Sequence, residues 1–444
     1  MGLSSRVIKA IGIFGSVEVV GILCGVARAK LTAVWIGAAG VGLFAIFNSA
    51  INLVTALCNL NIRTSSVKTL AAAGPDARPG VEAVVRRLSL ILAAVALLVM
   101  LLAAPLFSFN AFGDLSWSWA FALLGLAVAA SVMRAPEEAI LQGEGLLRPL
   151  ARGVITAQLL GLVVSLLLLW FFRLDGILPS LLAYSVFGYL GVLIFRKPPV
   201  PLRVPLARLR EVGLPILRLG AYMSIAAIFC ELLNYLLVCW LNRVGDTSLV
   251  GLFQSGHTLV NRYLGIIFTA IAMEFYPRLA AAEGHPRRQS VFISHEIILL
   301  SLLLLGPVLL FYPCARLILR ILYTPEFYPA VPYIYGALPG MTAQVAGWVC
   351  SYYILTCGAG RLYIITEVIS QTAIILLSIL GFTLAGLAGM GLGFTAGQIV
   401  TSIVNLICCR RYLSLRLAPR ALLVAGLIPL LTLLLALAAL ILTP

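Results

Sequence analysis

Charged residues are scarce in this chain of 444 residues: Asp, Glu, Lys and Arg together make up 11%, and only 16 residues are acidic. Hydrophobic residues make up 62% of the chain, and its mean hydropathy is +1.08. These values exclude a soluble protein of this length. The composition therefore predicts a polytopic membrane protein.

Patterns of catalysis and cofactor binding are also missing. The three His residues form neither an HExxH zinc motif nor a Ser-His-Asp arrangement, and the nine Cys residues have no metal-ligand or redox spacing. We therefore expect no cofactor, no metal and no enzyme activity. A membrane polymerase or ligase, the enzyme class considered, would need a large outer domain, but the longest predicted outer connection has only about nineteen residues.

Long apolar runs rich in Leu, Ala and Ile predict membrane-spanning helices of about 20 residues rather than the short alternating strands of a barrel. The predicted fold class is therefore an all-α polytopic membrane protein. We place thirteen segments, near residues 7–29, 38–60, 88–107, 117–135, 153–172, 177–195, 215–241, 250–277, 292–312, 332–356, 362–384, 387–409 and 421–442.

Basic residues concentrate in the connections on one side of these segments, which predicts a cytoplasmic N-terminus. This bias explains the net charge of +15. A nucleic-acid partner is not expected, because no clustered basic face with aromatic residues is present. A cleavable signal peptide is not expected either, since the first apolar segment is long and contains Glu18.

An internal repeat divides the chain. Val41-Gly42-Leu43-Phe44 is followed by Asn48 and Asn52, and Val250-Gly251-Leu252-Phe253 is followed at the same offsets by His257 and Asn261. The repeat predicts two six-helix bundles related by a pseudo-twofold axis along the membrane normal. The predicted parts are an N-terminal lobe (1–195), a cytoplasmic linker (196–214), a C-terminal lobe (215–412) and a tail (413–444). Within the tail, 421–442 contains Pro429 and predicts either an extra membrane helix or a surface hairpin.

Polar residues at membrane depth are costly, so they indicate a wet or paired interior. These polar residues concentrate in segments 1, 2, 7 and 8, which we expect to line a central cavity. The polar residues include Glu18, Asn48, Asn52, Glu231, His257, Asn261 and Arg262. Two alternatives are structural. His257 is either functional or simply hydrogen-bonded inside an apolar helix. Arg262 either faces the cavity or is neutralised by Glu231 or Glu18.

Three stretches carry a resemblance to a known family: Lys30-Leu-Thr-Ala-Val-Trp-Ile-Gly-Ala-Ala-Gly-Val-Gly-Leu-Phe, Leu322-Tyr-Thr-Pro-Glu-Phe-Tyr-Pro-Ala-Val and Arg361-Leu-Tyr-Ile-Ile-Thr-Glu-Val-Ile-Ser-Gln. Together with Tyr276-Pro277-Arg278-Leu279 they cover residues 1 to about 412. The chain resembles the Wzx-type flippases, which are the O-antigen and enterobacterial-common-antigen lipid translocases, in the superfamily that also holds the MATE exporters. That family usually has twelve helices, so the tail from Ala421 departs from its pattern.

The resemblance implies a flippase of the bacterial inner membrane. Its two lobes would alternate in access and move an undecaprenyl-pyrophosphate-linked oligosaccharide from the cytoplasmic to the periplasmic leaflet, with H⁺ or Na⁺ as coupling ion and the polysaccharide polymerase machinery as partner. The alternative is a MATE-like multidrug or cation exporter, for which a more acidic and aromatic cavity is expected.

Five cations are candidates for holding the pyrophosphate, because Arg and Lys donors suit phosphate oxygens: Arg28, Lys30, Arg63, Arg262 and Arg361. Arg28 and Lys30 close segment 1 and would alternatively snorkel to the headgroups, and Arg63 would alternatively set topology. The candidates for ion coupling are Glu18, Glu231 and Glu367, with Glu231 pairing with Arg262 and exchanging a proton as that pair breaks.

Other residues are expected to be structural. Glu137 and Glu138 are predicted to be solvated at the end of segment 4, and Gly389, Gly393 and Gly397 to allow close helix packing. Five tyrosines around the predicted outer loop 313–331 favour an interfacial aromatic belt, or alternatively a sugar-contacting rim; they are Tyr312, Tyr323, Tyr328, Tyr333 and Tyr335.

Overall fold

The computed structural model describes residues 3–74, 76–196, 204–282 and 285–442, with side chains described from Val17 onward except at positions 206, 273, 277, 281 and 286. Within these ranges the regular structure is entirely helical, which confirms the predicted all-α class. The helices are α1 (Leu3–Asn59), α2 (Ile62–Ala72), α3 (Arg78–Phe112), α4 (Ser118–Gly143), α5 (Leu147–Phe172), α6 (Ile177–Leu193), α7 (Leu206–Arg208), α8 (Leu214–Val244), α9 (Thr247–His257), α10 (Gly265–Ala281), α11 (Pro286–Leu322), α12 (Val331–Thr356), α13 (Gly360–Tyr412) and α14 (Pro419–Leu442).

Twelve of the thirteen apolar segments each lie, to within two residues, in one of these helices, and the segment 250–277 spans α9, a π-helical turn and α10. Nine helical stretches in the described part of the chain are long and apolar enough to cross a membrane, and several of them contain two predicted segments. The protein is therefore a multi-pass membrane protein. The tail forms one helix, α14, with Pro429 inside it, so the surface-hairpin alternative is wrong.

Two helices are broken at glycines. Gly37 interrupts α1 with φ 65° and ψ −170°, and Gly386 interrupts α13 with φ 57° after Ala385. Glycine adopts these backbone angles without the penalty that a Cβ imposes. The first part of α1 thus runs to the break at Gly37, whereas segment 1 was predicted to end near residue 29. Its end was misplaced because residues 31–36, five of which are apolar, continue the helix.

The chain divides into two compact units, Met1–Val250 (unit 1) and Gly251–Pro444 (unit 2). In unit 1, α8 packs against α1, α2 and α3. The predicted linker is only partly within the described residues, and its Lys197-Pro198-Pro199 and Pro201 lie outside them. The predicted lobes 1–195 and 215–412 divide the chain elsewhere and stay a prediction.

An aromatic cluster fills the core of unit 1. The ring of Phe47 in α1 lies edge-on to Phe121 of α4, with centroids 5.2 Å apart. Phe107 of α3 stacks on Phe121 at 5.7 Å and meets Tyr235 of α8 at 5.1 Å. These contacts tie four helices together around buried rings.

Close helix packing organises unit 2. The predicted glycine stripe lies where the two parts of α13 fold against each other: Gly393 contacts the Leu377 carbonyl, and Gly397 lies against Ile374. Gly391 lies on the opposite side, against α12 at Tyr333. The prediction of close approach is confirmed, since the absence of a Cβ lets these backbones touch.

Replacing Gly393 with Ala is expected to destabilise unit 2 by about 1–3 kcal/mol, because the new Cβ would collide with the Leu377 carbonyl, which cannot rotate away. The matched control is Gly426→Ala in α14, where nothing lies within 4 Å of the added atom. Thermal unfolding of both purified variants provides the comparison. Equal stability of the two variants would contradict the packing described here.

Candidate functional site

Arg28 lies inside unit 1 rather than at a helix end. It precedes the break at Gly37 by nine residues, or about 13 Å along the helix axis. Its guanidinium carbon lies 4.5 Å from the ring centroid of Phe44, beyond the break in α1, and 4.2 Å from that of Tyr184 in α6. The half-buried guanidinium is therefore held between two aromatic faces, an arrangement that stabilises a cation. These contacts favour a built site over snorkelling.

A polar stripe continues from this aromatic pair along the second part of α1. Phe44, Asn48 and Asn52 follow each other at intervals of four residues, so they lie on one face of the helix. Asn48 is half-buried and Asn52 is exposed. In the first part of α1, Glu18 is exposed and Lys30 is half-buried. The predicted polar residues of segments 1 and 2 thus share a unit with the Arg28 site.

Arg63 belongs to a cluster of ion pairs at the end of α4. Its guanidinium lies 2.9 Å from Glu138, whose carboxylate also accepts a 2.6 Å hydrogen bond from Arg134. Gln142 accepts a further bond from Arg63 at 3.4 Å. Because it already binds Glu138 and Gln142, Arg63 is better suited to a structural role than to holding a substrate phosphate.

Glu137 and Glu138 are both 5% exposed, so the prediction that they are solvated is wrong. Glu137 binds Arg86 of α3 through two parallel hydrogen bonds of 2.9 and 3.0 Å, and Arg86 is itself 5% exposed. A buried carboxylate requires such a partner, because an unpaired charge in the interior is very costly. The pairs Arg86–Glu137 and Arg63–Glu138 therefore fix α4 to its neighbours.

Glu231 lies half-buried in α8 of unit 1. One of its carboxylate oxygens is fully buried and has no hydrogen-bond partner among the described residues. Buried polar atoms without partners are rare and costly in native structures. The predicted pairing of Glu231 with Arg262 would join the two units and stays a prediction.

His257, at the end of α9 in unit 2, is hydrogen-bonded inside an aromatic enclosure. Its Nδ1 lies 3.0 Å from the hydroxyl oxygen of Tyr333 and 3.1 Å from the side-chain nitrogen of Asn261. Phe253 and Phe394 approach the imidazole, with centroids at 5.2 and 6.1 Å. His257 is thus hydrogen-bonded, as the structural alternative predicted. The structure also brings the predicted pair His257 and Asn261 together.

Arg262 follows in a short π-helical segment, Thr258–Tyr263. Such wide turns are uncommon and frequently occur at functional sites. Leu259 and Val260 in this segment are buried, whereas the Arg262 side chain is exposed. Among the described residues of its own unit, Arg262 forms no ion pair. A charge in this position within a candidate membrane span needs water or an anionic ligand.

The remaining predicted residues of unit 2 lie in α13. Arg361 is exposed in the first turn of the helix, and Glu367 is half-buried six residues later. Six residues correspond to about 1.7 helical turns, so the two side chains lie on different faces. The structure therefore does not bring Arg361 and Glu367 together.

The prediction that five tyrosines form an interfacial aromatic belt is largely wrong. Tyr323, Tyr333 and Tyr335 are 3%, 1% and 7% exposed. The hydroxyl of Tyr335 donates to the carbonyl of Tyr312 at 3.0 Å, and the hydroxyl of Tyr312 donates to the carbonyl of Thr432 at 2.9 Å. Tyr312 thus docks α14 onto the rest of unit 2, and Tyr323, Tyr333 and Tyr335 are buried in unit 2 instead of facing an interface.

One aromatic cluster in unit 2 was not singled out from the sequence. Trp348 and Tyr352 of α12 lie 4.7 Å apart, and Phe268 and Phe275 of α10 approach Trp348 at 5.2 and 6.3 Å. The spacing of four residues between Trp348 and Tyr352 places them on one helix face, so this half of the cluster could have been predicted from the sequence. The contribution of α10 depends on tertiary packing and could not have been predicted.

A family profile described as polysaccharide biosynthesis protein matches residues 41–332. No curated protein sequence matches the chain significantly.

Solved structures show the same fold. An inward-facing multidrug resistance MATE family transporter of the MOP superfamily is similar with a TM-score of 0.75 and 18% identity, over 88% of this chain and 94% of that one. An outward-facing MATE family transporter gives a TM-score of 0.65 and 18% identity, over 91% and 96%. A MOP superfamily transporter from Pyrococcus furiosus, described as having reverse polarity of its binding pocket, gives 0.65 and 16% over 91% and 96%.

The fold is thus the one that these MOP superfamily transporter structures share. The family match extends over more than half of the chain. Together these findings confirm the predicted family resemblance at the level of the superfamily, and the chain belongs to the polysaccharide biosynthesis protein family.

Proposed function

We propose that this protein is a flippase of the bacterial inner membrane, with its N-terminus in the cytoplasm. It carries undecaprenyl-pyrophosphate-linked oligosaccharide repeat units from the cytoplasmic to the periplasmic leaflet by alternating access. The observation that carries this proposal is Arg28, a cation held inside the helices of unit 1 between Phe44 and Tyr184. Membership of the polysaccharide biosynthesis family supports the glycan part of the substrate.

The diphosphate requires cations that replace its water. A charged side chain in a membrane span costs about 2.5–3.5 kcal/mol on insertion scales, so a cation there indicates a function. Arg28 in unit 1 and Arg262 in unit 2 are two such positions, and Lys30 and Arg361 are further candidates. The planar fork of Arg fits phosphate oxygens with two parallel hydrogen bonds.

The glycan requires neutral donors and acceptors. Asn48 and Asn52 present amides along one face of α1, and Asn261 lies beside His257 in unit 2. Amides pair with sugar hydroxyls without adding charge. The lipid tail stays in the bilayer, and the delivered repeat unit passes to the polysaccharide polymerase machinery.

The alternative function is a MATE-like multidrug or cation exporter. Its support is the fold alone, because the two MATE structures described above are 18% identical to this chain. A cationic drug would be repelled by the arginines that suit a diphosphate. The basic character of the candidate sites therefore favours the anionic lipid-linked substrate.

The proposed ion coupling makes Glu231→Gln a test. We expect this variant to lose gradient-dependent transport and to fold normally, because the amide keeps the shape of the side chain and cannot release a proton. The buried carboxylate oxygen without a partner is the position where a proton or Na⁺ would bind. Transport is measured with and without an imposed H⁺ or Na⁺ gradient, with Glu18→Gln and Glu367→Gln in parallel. If transport by Glu231→Gln depends on the gradient as in the wild type, Glu231 has no part in ion coupling.

Deletion of the gene in a strain without a redundant flippase tests the function itself. We expect undecaprenyl-linked repeat units to accumulate on the cytoplasmic face and the wild-type gene to restore delivery. Sensitivity to cationic drugs is measured in the same strains. Normal delivery of the repeat unit together with increased drug sensitivity would support the exporter instead.

A further inference from the structure

A basic cavity lies where α13 meets α14, away from all the residues discussed above. The two helices are candidate membrane spans, and a connection of six residues, 413–418, joins them. This connection therefore lies at a membrane surface. A cavity of about 510 Å³ opens there, lined by Arg410, Ser414, Leu415, Arg416, Leu417 and Leu422. Its volume falls within the range of about 300–1,000 Å³ that is typical of ligand sites.

The connection has a fixed shape. The backbone N–H of Leu415 donates to the carbonyl of Cys409 at 3.1 Å, and the hydroxyl of Tyr353 donates to the carbonyl of Leu413 at 3.4 Å. The backbone N–H of Ala418 donates to the hydroxyl oxygen of Ser294 at 2.9 Å. Leu415 is 4% exposed, so its side chain anchors the connection in unit 2. A prearranged site loses less conformational entropy when a ligand binds.

The backbone of Ser414 adds a second indication. Its φ is 54°, in the left-handed region that residues with a Cβ rarely adopt. Such conformations persist where the surrounding structure holds them, and they cluster at ligand clamps. Ser414 lines the cavity between Arg410 and Arg416.

The charge of the cavity is positive and uncompensated by its own unit. Arg410 and Arg416 are both exposed, and among the described residues of unit 2 neither forms an ion pair. Arginine forks bind phosphate oxygens, and basic pockets between membrane helices hold anionic lipid headgroups. Leu417 and Leu422 provide apolar surface beside the arginines, where the first carbons of acyl chains would lie.

We propose that this cavity binds the phosphate headgroup of an anionic glycerophospholipid. Arg410 and Arg416 contact the phosphate, and Leu417 and Leu422 contact the glycerol and the acyl chains. The bound lipid stabilises the junction of α13 with the extra helix α14. This site is independent of the identity of the transported substrate.

The test is a titration of the purified full-length chain in detergent with short-chain phosphatidylglycerol, followed by native mass spectrometry. We expect saturable binding that short-chain phosphatidylcholine does not reproduce. Each of R410Q and R416Q is expected to weaken binding about 5-fold and the double variant about 30-fold, from about 1 kcal/mol for each arginine near a membrane surface. The matched control R411Q/R420Q removes the same charge from residues that do not line the cavity, and less than a 2-fold change is expected.

Further arms separate a lipid site from other causes. Leu422→Trp fills the cavity at an exposed position without changing charge, and it is also expected to weaken binding. Inorganic phosphate and pyrophosphate are added as competitors, and neither is expected to displace the lipid at equal concentration. Displacement by pyrophosphate would show a site for a soluble phosphate and overturn the lipid assignment. Equal losses in R410Q/R416Q and R411Q/R420Q would show non-specific attraction and overturn the site.

Discussion

Replacing Arg28 with Gln is expected to reduce delivery of the lipid-linked repeat unit about 10- to 150-fold. This range corresponds to the loss of about 1.5–3 kcal/mol, the typical contribution of a hydrogen bond to a charged group. Arg28 is half-buried, and its guanidinium lies between Phe44 and Tyr184, so a substrate phosphate would meet a cation with fixed orientation. Delivery is measured by complementation of the deletion strain, with protein amounts in the membrane compared in parallel.

Neighbouring variants separate the roles of charge and of the aromatic rings. Arg28→Lys is expected to retain part of the activity, because it keeps the charge and loses the planar fork. Tyr184→Phe keeps the ring, and its activity should be close to that of the wild type. Tyr184→Leu removes one face of the cation–π contact, and its activity should lie between those of Tyr184→Phe and Arg28→Gln. The matched control is Arg152→Gln, an exposed arginine of α5. Full activity of Arg28→Gln would exclude Arg28 from substrate binding.

Replacing Glu137 with Gln is expected to destabilise the protein by about 3–5 kcal/mol, the cost of leaving the charge of a buried ion pair without its partner. Arg86 and Glu137 are each 5% exposed and are joined by two short hydrogen bonds, so the remaining arginine cannot reach water without opening the helix packing. The expected result is a strongly lowered thermal or denaturant midpoint. Glu137 is distant in sequence from the candidate substrate residues, so the primary effect is on stability.

A surface ion pair in the same chain provides the control. Glu274 and Arg278 lie 2.5 Å apart in α10, but their side chains are 74% and 57% exposed. Solvent screens such pairs, and Glu274→Gln is expected to cost no more than about 1 kcal/mol. A Glu137→Gln variant that is as stable as Glu274→Gln would contradict the structural role assigned to the buried pair.

The helices were largely predictable because membrane spans require long apolar runs, and the thirteen runs correspond to helices in the structure. The ends of the helices were less predictable. Arg28 and Lys30 were predicted to close segment 1, yet the helix continues to the break at Gly37, because five of the next six residues are apolar. Arg28 therefore lies nine residues before the end of the first part of α1 rather than at its end.

Partners from distant helices could not be read from the sequence. Tyr184 stands 156 residues from Arg28, and Arg86 stands 51 residues from Glu137, so their contacts follow only from tertiary packing. By contrast, Arg134 and Glu138 are four residues apart on one helix, so their ion pair is a contact that the spacing could have indicated. The central cavity that the polar residues of α1 and the His257 cluster were expected to line stays a prediction.

Reconstitution tests the central claim most directly. The purified chain is incorporated into liposomes that contain an undecaprenyl-pyrophosphate-linked oligosaccharide with a fluorescent sugar, and a membrane-impermeant glycosidase is added outside. The account predicts that lipid-linked sugar from the inner leaflet becomes accessible to the glycosidase with the wild-type chain and not with Arg28→Gln, and that a lipid without the pyrophosphate is not moved. Inner-leaflet sugar that stays as protected with the wild-type chain as in protein-free liposomes would contradict the account.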